Sequence, residues 1–305
     1  MKNKFVKLFS FTLLLPIRVW IAIINAVRSS SKSGDKFIEE FRTKIQNDFS
    51  KVIEHAYKVK HSVKSNVKLT YADIGARGGL PTLVSKNLEH FNKIILCEGE
   101  PEEAKKLRYQ GYLVIDKFLA DKKGDAKFFY IPGHPGASSL KRPGTPFLHL
   151  FSATHYKTYT EKYTENDITT STLDIELEKL NVNEIDFIKL DVQGSELSII
   201  KGRTTMSPLF WEVEVLPLPT YQDTSYGTSI TAELVKRGYI CFRQSGRMVR
   251  DGIYIYSNEM YMPDYSTEFG KNLIRKNIEK WKLMIGLFDI NALGNHIEEI
   301  IKESN

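Results

Sequence analysis

The sequence predicts an open α/β sheet of the Rossmann-like, nucleotide-binding kind, and three observations carry that prediction. The first is an apolar run through Val67, Leu69, Tyr71 and Ile74 that holds Asp73 near its end and leads into Gly75, Gly78 and Gly79. The second is a helical pattern from Pro81 to Phe91, followed by the apolar run Ile94-Ile95-Leu96-Cys97 ending in Glu98. Strand, glycine turn, helix, strand, acid is the opening unit of a nucleotide-binding sheet. The third is the buried-strand pattern Ile185 to Leu190, which ends in Asp191 and turns at Gly194 into a helix running to Gly202.

The remaining elements follow in chain order. Residues 5–27 are apolar and aromatic, but Arg18 splits them into pieces of roughly 10 and 9 residues, short of the span a membrane-crossing helix needs. Residues 1–36 carry seven Lys and Arg against Asp35 alone, which accounts for the whole net charge of +6. A nucleic-acid binder would spread such an excess over a folded face, so that partner is not expected. A basic amphipathic helix lying in a membrane interface is expected over residues 1–30; packing on protein is the alternative. Ser29 to Gly34 reads as a linker, and residues 35–66 as a helical lead-in with apolar Phe37, Ile38, Phe41 and Ile45 near helical spacing. The main domain is expected over 67–258 and closing helices over 259–305, at 268–284 and 291–303.

Within the main domain, Pro101 to Tyr109 reads as a helix, Leu113 to Phe118 as a third strand and Ala126 to Ile131 as another. Residues 132–146 form the densest Gly/Pro cluster and read as a loop over the site. The aromatic stripe from Phe147 to Tyr163 reads as packing. Leu209 to Leu216, Tyr239 to Arg243 and Gly252 to Ser257 read as strands, with a helix over Ser229 to Arg237. Gly246 lies between the last two strands, which are expected to pair as an antiparallel hairpin. Both cysteines, Cys97 and Cys241, fall in strand-like runs and are expected as buried free thiols.

In such sheets the ligand lies beyond the carboxyl ends of the strands. Asp73, Glu98 and Asp191 are therefore expected on one rim. The spacing Asp73-x-Gly75-x-x-x-Gly79 differs from the dinucleotide G-x-G-x-x-G. A carboxylate two residues before the first glycine suits a cationic ligand such as the sulfonium of S-adenosylmethionine better than a pyrophosphate. An acid at the tip of the second strand can accept hydrogen bonds from ribose hydroxyls. The histidines show no metal-ligand spacing, so no metal is expected.

The block from Ile185 to Gly202, with Asp191, Gln193, Gly194, Glu196 and the closing Lys201-Gly202, resembles the signature of the FkbM-type S-adenosylmethionine-dependent methyltransferases. Asp73-x-Gly75-Ala76-x-x-Gly79 is similar to that family's cofactor loop, although the family usually carries Asn where this chain has Arg77. Cys97 to Glu102 is similar to its Phe-Glu-Pro-Asp-Pro-Glu block, with Gly99 in place of a proline. Ala137 to Leu140 is similar to a Ser-Ser-Leu element in one branch. The resemblance implies a seven-stranded class I methyltransferase sheet with its last strand antiparallel. It implies S-adenosylmethionine as cofactor, held by Asp73, Gly75, Ala76, Gly79, Glu98, Asp121 and Asp191. It also implies methyl transfer to a hydroxyl, typically on a sugar or natural-product scaffold.

A hydroxyl acceptor needs a base, and Asp191, Glu196 and His134 are the candidates. Ser138, Ser139 and Arg142 are the candidate acceptor contacts. The expected setting is cytoplasmic, with contact to a membrane surface through residues 1–30. A non-catalytic scaffold of the same fold docked at a membrane is the competing reading.

Overall fold

β1 (Leu69–Ile74) shows why the sheet sits where it does: every residue in it is buried. Its side chains alternate, Leu69 and Tyr71 toward one layer of helices and Ala72 and Ile74 toward the other. A strand covered on both faces belongs in the middle of a parallel sheet. The computed structural model describes residues 66–144, 162–203, 207–290 and 293. The expected helices at 1–30, 35–60 and 291–303, and nearly all of the 147–163 stripe, lie outside the described residues.

In chain order the elements are β1, α1 (Thr82–Ser85), β2 (Phe91–Cys97), α2 (Pro101–Tyr109), β3 (Leu113–Ile115), β4 (Phe118–Leu119), β5 (Gly124–Tyr130), β6 (Thr164–Ser171), α3 (Leu173–Lys179), β7 (Phe187–Leu190), α4 (Glu196–Gly202), β8 (Phe210–Val215), α5 (Gly227–Lys236), β9 (Tyr239–Arg250), β10 (Ile253–Pro263), α6 (Glu268–Lys276) and α7 (Ile278–Leu287). The main sheet has seven strands in the order β3-β2-β1-β7-β8-β10-β9. β10, the last strand of the chain, enters antiparallel to both neighbours, as expected. The order reverses between β1 and β7, and that switch point opens a crevice at the carboxyl ends.

One face of the sheet packs on α3, α4 and α5 through Leu173, Leu177, Ile199, Ile200, Ile230 and Leu234. The other packs on α1, α6 and α7 through Val84, Ile274, Trp281 and Met284. Trp281 stacks on Phe210 with ring centroids 4.8 Å apart.

Several elements depart from expectation for local reasons. The helix expected over Pro81–Phe91 shrinks to one turn, because the Asn87 side-chain amide donates to the Leu83 carbonyl and ends it. The single closing helix expected over 268–284 breaks at Asn277. Its side chain caps the Leu273 carbonyl while its own carbonyl accepts from Trp281 N–H to start α7. The third strand splits: β4 leaves the main sheet and pairs parallel with β6. With β5 they form a second sheet, β4-β6-β5, that the sequence did not announce. β6 reads TENDITTS and is largely exposed, so no apolar alternation marks it. Gly246 is not the hairpin link but lies inside β9 at φ +59°; the turn is Asp251-Gly252, both with positive φ. Cys97 is buried as expected, whereas Cys241 lies on the edge strand β9 and is exposed.

Candidate active site

The site forms where the turns after β1, β2 and β7 meet the 135–140 segment. An open cleft is lined there by Gly75, Arg77, Glu98, Phe118, Ser139 and Asp191, among others. Gly75 sits at φ +92°, and a Cβ there would overlap the Asp191 carbonyl, so only glycine lets the two turns close on each other.

Glu98 follows β2 and is buried, yet it opens into the cleft. Its Oε1 accepts from the Glu100 N–H at 2.9 Å. Burial pushes its carboxyl up, and the Glu100 N–H and the Arg77 guanidinium pull it back. Arg77 reaches across from the β1 turn, with Nε 4.0 Å from Glu98, Nη2 3.3 Å from Glu100 and Nη1 3.8 Å from Glu103. Phe118 packs against Gly99, where any Cβ would strike its ring. Phe118 and Phe128, with centroids 4.5 Å apart, form an apolar wall beside the acid.

Under the rim lies a row of charges across three strands. Asp73, Lys189 and Glu212 occupy paired positions on β1, β7 and β8. Lys189 Nζ is 3.5 Å from Asp73 and 3.1 Å from Asp191. Burial alone would lower the Lys189 pKa; Asp73 first and Asp191 next outweigh it and raise it above the ordinary range. Tyr71 Oη donates to Asp73 at 2.9 Å. Burial still pushes the Asp73 carboxyl up.

Gln193, in the left-handed region at φ +58°, donates through Nε2 to Asp191 at 2.9 Å and to Glu214 at 2.6 Å. Burial, then the charges of Asp191 and Glu196, push the Glu214 carboxyl well up. The 135–140 segment is tied to this turn. Ser139 Oγ donates to the Gln193 carbonyl at 2.7 Å, and the Tyr221 hydroxyl lies 2.9 Å from the Ala137 carbonyl and 3.1 Å from Gln193 Oε1.

Of the residues singled out from the sequence, Gly75, Glu98, Asp191, Ser138 and Ser139 line one cleft. Asp73, Ala76, Gly79, Asp121, Glu196, His134 and Arg142 do not. Asp73 is held in the charge row beneath. Asp121 sits on an exposed turn against Ser198. Glu196 is buried, and its carboxylate accepts from the Val192 and Gly194 N–H groups, clamping its own turn. Burial pushes it up to about 7 against those N–H groups. Arg142 pairs with Glu165 at 2.5 Å and lies over the Phe129 ring. Ser138 Oγ accepts from the Ile131 N–H. The sequence reading gave no site role to Lys189, Gln193, Glu214 or Tyr221, although Gln193 stands in the family signature. A lysine inside the apolar run Phe187-Ile188-Lys189-Leu190 was the one available signal.

The family model described as the methyltransferase FkbM domain matches residues 73–241, from Asp73 on β1 to Cys241 on the edge strand β9. The chain belongs to the FkbM methyltransferase family. No curated protein matches it. Among solved structures, the FkbM chain is similar to the magnesium protoporphyrin IX methyltransferase ChlM of Synechocystis PCC 6803 with bound SAM. That match has 10% identity over 76% of this chain and 86% of that one, at a TM-score of 0.35. It is similar to TrmK of M. capricolum in complex with S-adenosyl-homocysteine, with 12% identity, 81% and 96% coverage and a TM-score of 0.32. A third is the 1,6-didemethyltoxoflavin-N1-methyltransferase of Burkholderia thailandensis, with 9% identity, 74% and 89% coverage and a TM-score of 0.31. The family assignment rests on the domain match, not on these distant likenesses.

Proposed function

We propose that this FkbM methyltransferase moves a methyl group from S-adenosylmethionine to a hydroxyl of a sugar or related small molecule. What carries the reading is the meeting of Glu98 and Asp191 in one cleft with the tight Gly75 turn between them. The residues fit the cofactor. A buried carboxylate beside an apolar wall of Phe118 and Phe128 suits a ribose and its adenine. When bound, S-adenosylmethionine supplies a methyl group already activated by its sulfonium.

The chain's own part is to bind, aim and deprotonate. Glu98 accepts from the ribose hydroxyls. Asp191, held by Lys189 and Gln193, faces the cleft with lone pairs to spare and takes the acceptor proton. Ser138 and Ser139 line the same cleft, where they position the acceptor's near edge. His134 and Glu196 fall away as bases in this reading, the first outside the cleft lining and the second enclosed by backbone N–H groups.

The test supplies labelled S-adenosylmethionine with a panel of glycan and lipid-linked sugar extracts to the wild type and to Asp191→Asn. Label in a saccharide fraction with the wild type, lost in the variant, is expected. Label confined to amine or protein fractions overturns the hydroxyl reading.

A further inference from the structure

Glu98 works in an awkward setting. It is buried, and Glu100 and Glu103 add like charge from the start of α2. A carboxyl so placed tends to hold its proton, yet only the ionised form offers all its lone pairs to two ribose hydroxyls. Arg77 is the cation that meets all three acids at once, each from a different guanidinium nitrogen. Glu100 has a second task, capping α2 by accepting from the Glu102 and Glu103 N–H groups. The guanidinium therefore leans on a carboxylate that the helix start already fixes.

We propose that Arg77 is a positioning residue for the cofactor: anchored on Glu100 and Glu103, it keeps Glu98 ionised and its outer oxygen turned into the cleft. The inference rests on the assignment of the cleft to S-adenosylmethionine. Arg77 lines the same cleft as Glu98. The other charges facing Glu98 are Glu100 and Glu103 from α2, Lys117 from the β3–β4 link, and Asp191 across the rim. Lys117, the one cation among them, makes its ion pair with Asp116, at 3.8 Å, and not with Glu98, whereas Arg77 lowers the Glu98 carboxyl directly.

The experiment is calorimetric titration of the full chain with S-adenosylhomocysteine from about pH 5 to pH 8, for wild type, Arg77→Met and Arg77→Lys, with melting curves to confirm folding. Removing the cation raises Glu98 further, so the Met variant loses affinity as the pH falls. We expect it to bind within about threefold of wild type at the alkaline end and about tenfold or more weaker at the acid end. The Lys variant restores most of the acid-side affinity. A Met variant whose pH profile runs parallel to wild type, whether or not it is uniformly weaker, overturns the positioning role. Absence of binding by wild type at every pH overturns instead the cofactor assignment beneath it.

Discussion

Glu98 and Glu196 are both buried acids near a helix start, and their neighbours give them opposite work. The Glu98 carboxylate keeps an oxygen toward an open cleft, while that of Glu196 is enclosed by the turn it clamps. Glu98→Ala should weaken binding of S-adenosylhomocysteine by about 1.5–3 kcal/mol, the cost of losing charge-assisted hydrogen bonds. Calorimetry giving unchanged affinity would remove Glu98 from the site. In the sequence, both residues were acids beside glycines. Glu98 was legible because it ends an apolar strand, where the rim must be. Glu196 stood among the candidate bases because no pattern tells whether a side chain at a helix start turns outward or back onto its own backbone. Lys189 was overlooked for a related reason: one charge in a four-residue strand looks like an exposed edge until three strands are known to align Asp73, Lys189 and Glu212.

At the scale of elements, strands with two apolar faces were readable and strands with one polar face were not. β1, β2, β7 and β8 each stand out as mostly apolar runs, because they lie largely covered inside the sheet. β6 lies on the outside of a small sheet and carries mostly polar residues, so only its pairing with β4 and β5 defines it. The Asp251-Gly252 turn was legible and was passed over in favour of Gly246, although Asp-Gly is the stronger hairpin signal. α7 owes its place to packing. Trp281 is 1% exposed and stacked on Phe210. Trp281→Ala should cost about 3–5 kcal/mol of stability, the range for a large buried aromatic. A melting temperature within a degree or so of wild type would show α7 to be dispensable.

For the molecule as a whole, the charge arithmetic sets the basic N-terminal segment apart from a formally neutral remainder. Among the described residues no helix is long and apolar enough to cross a membrane. Residues 1–30 are expected to bind anionic vesicles reversibly, with an affinity that falls as salt rises. Flotation with phosphatidylserine-containing liposomes tests this; full-length chain left in the dense fraction at low salt argues against it. The central pairing of the main sheet has a consequence of another kind. β1 joins β7 across a gap of 116 residues, as the Thr70 N–H bond to Asp186 shows. Strand β2 can cover one side of β1 early, because it follows closely in the chain. Its other side has no partner until the ribosome has made β7. At about 5–20 residues per second that wait is on the order of 6–25 s. During it the unpaired edge of a mostly apolar strand stands open to any passing chain. Arrested nascent chains ending before β7 should therefore be captured by chaperones and cleaved readily by protease, and chains released after β10 should not. Equal protease resistance in the two would mean that β1 is sheltered in some other way while it waits.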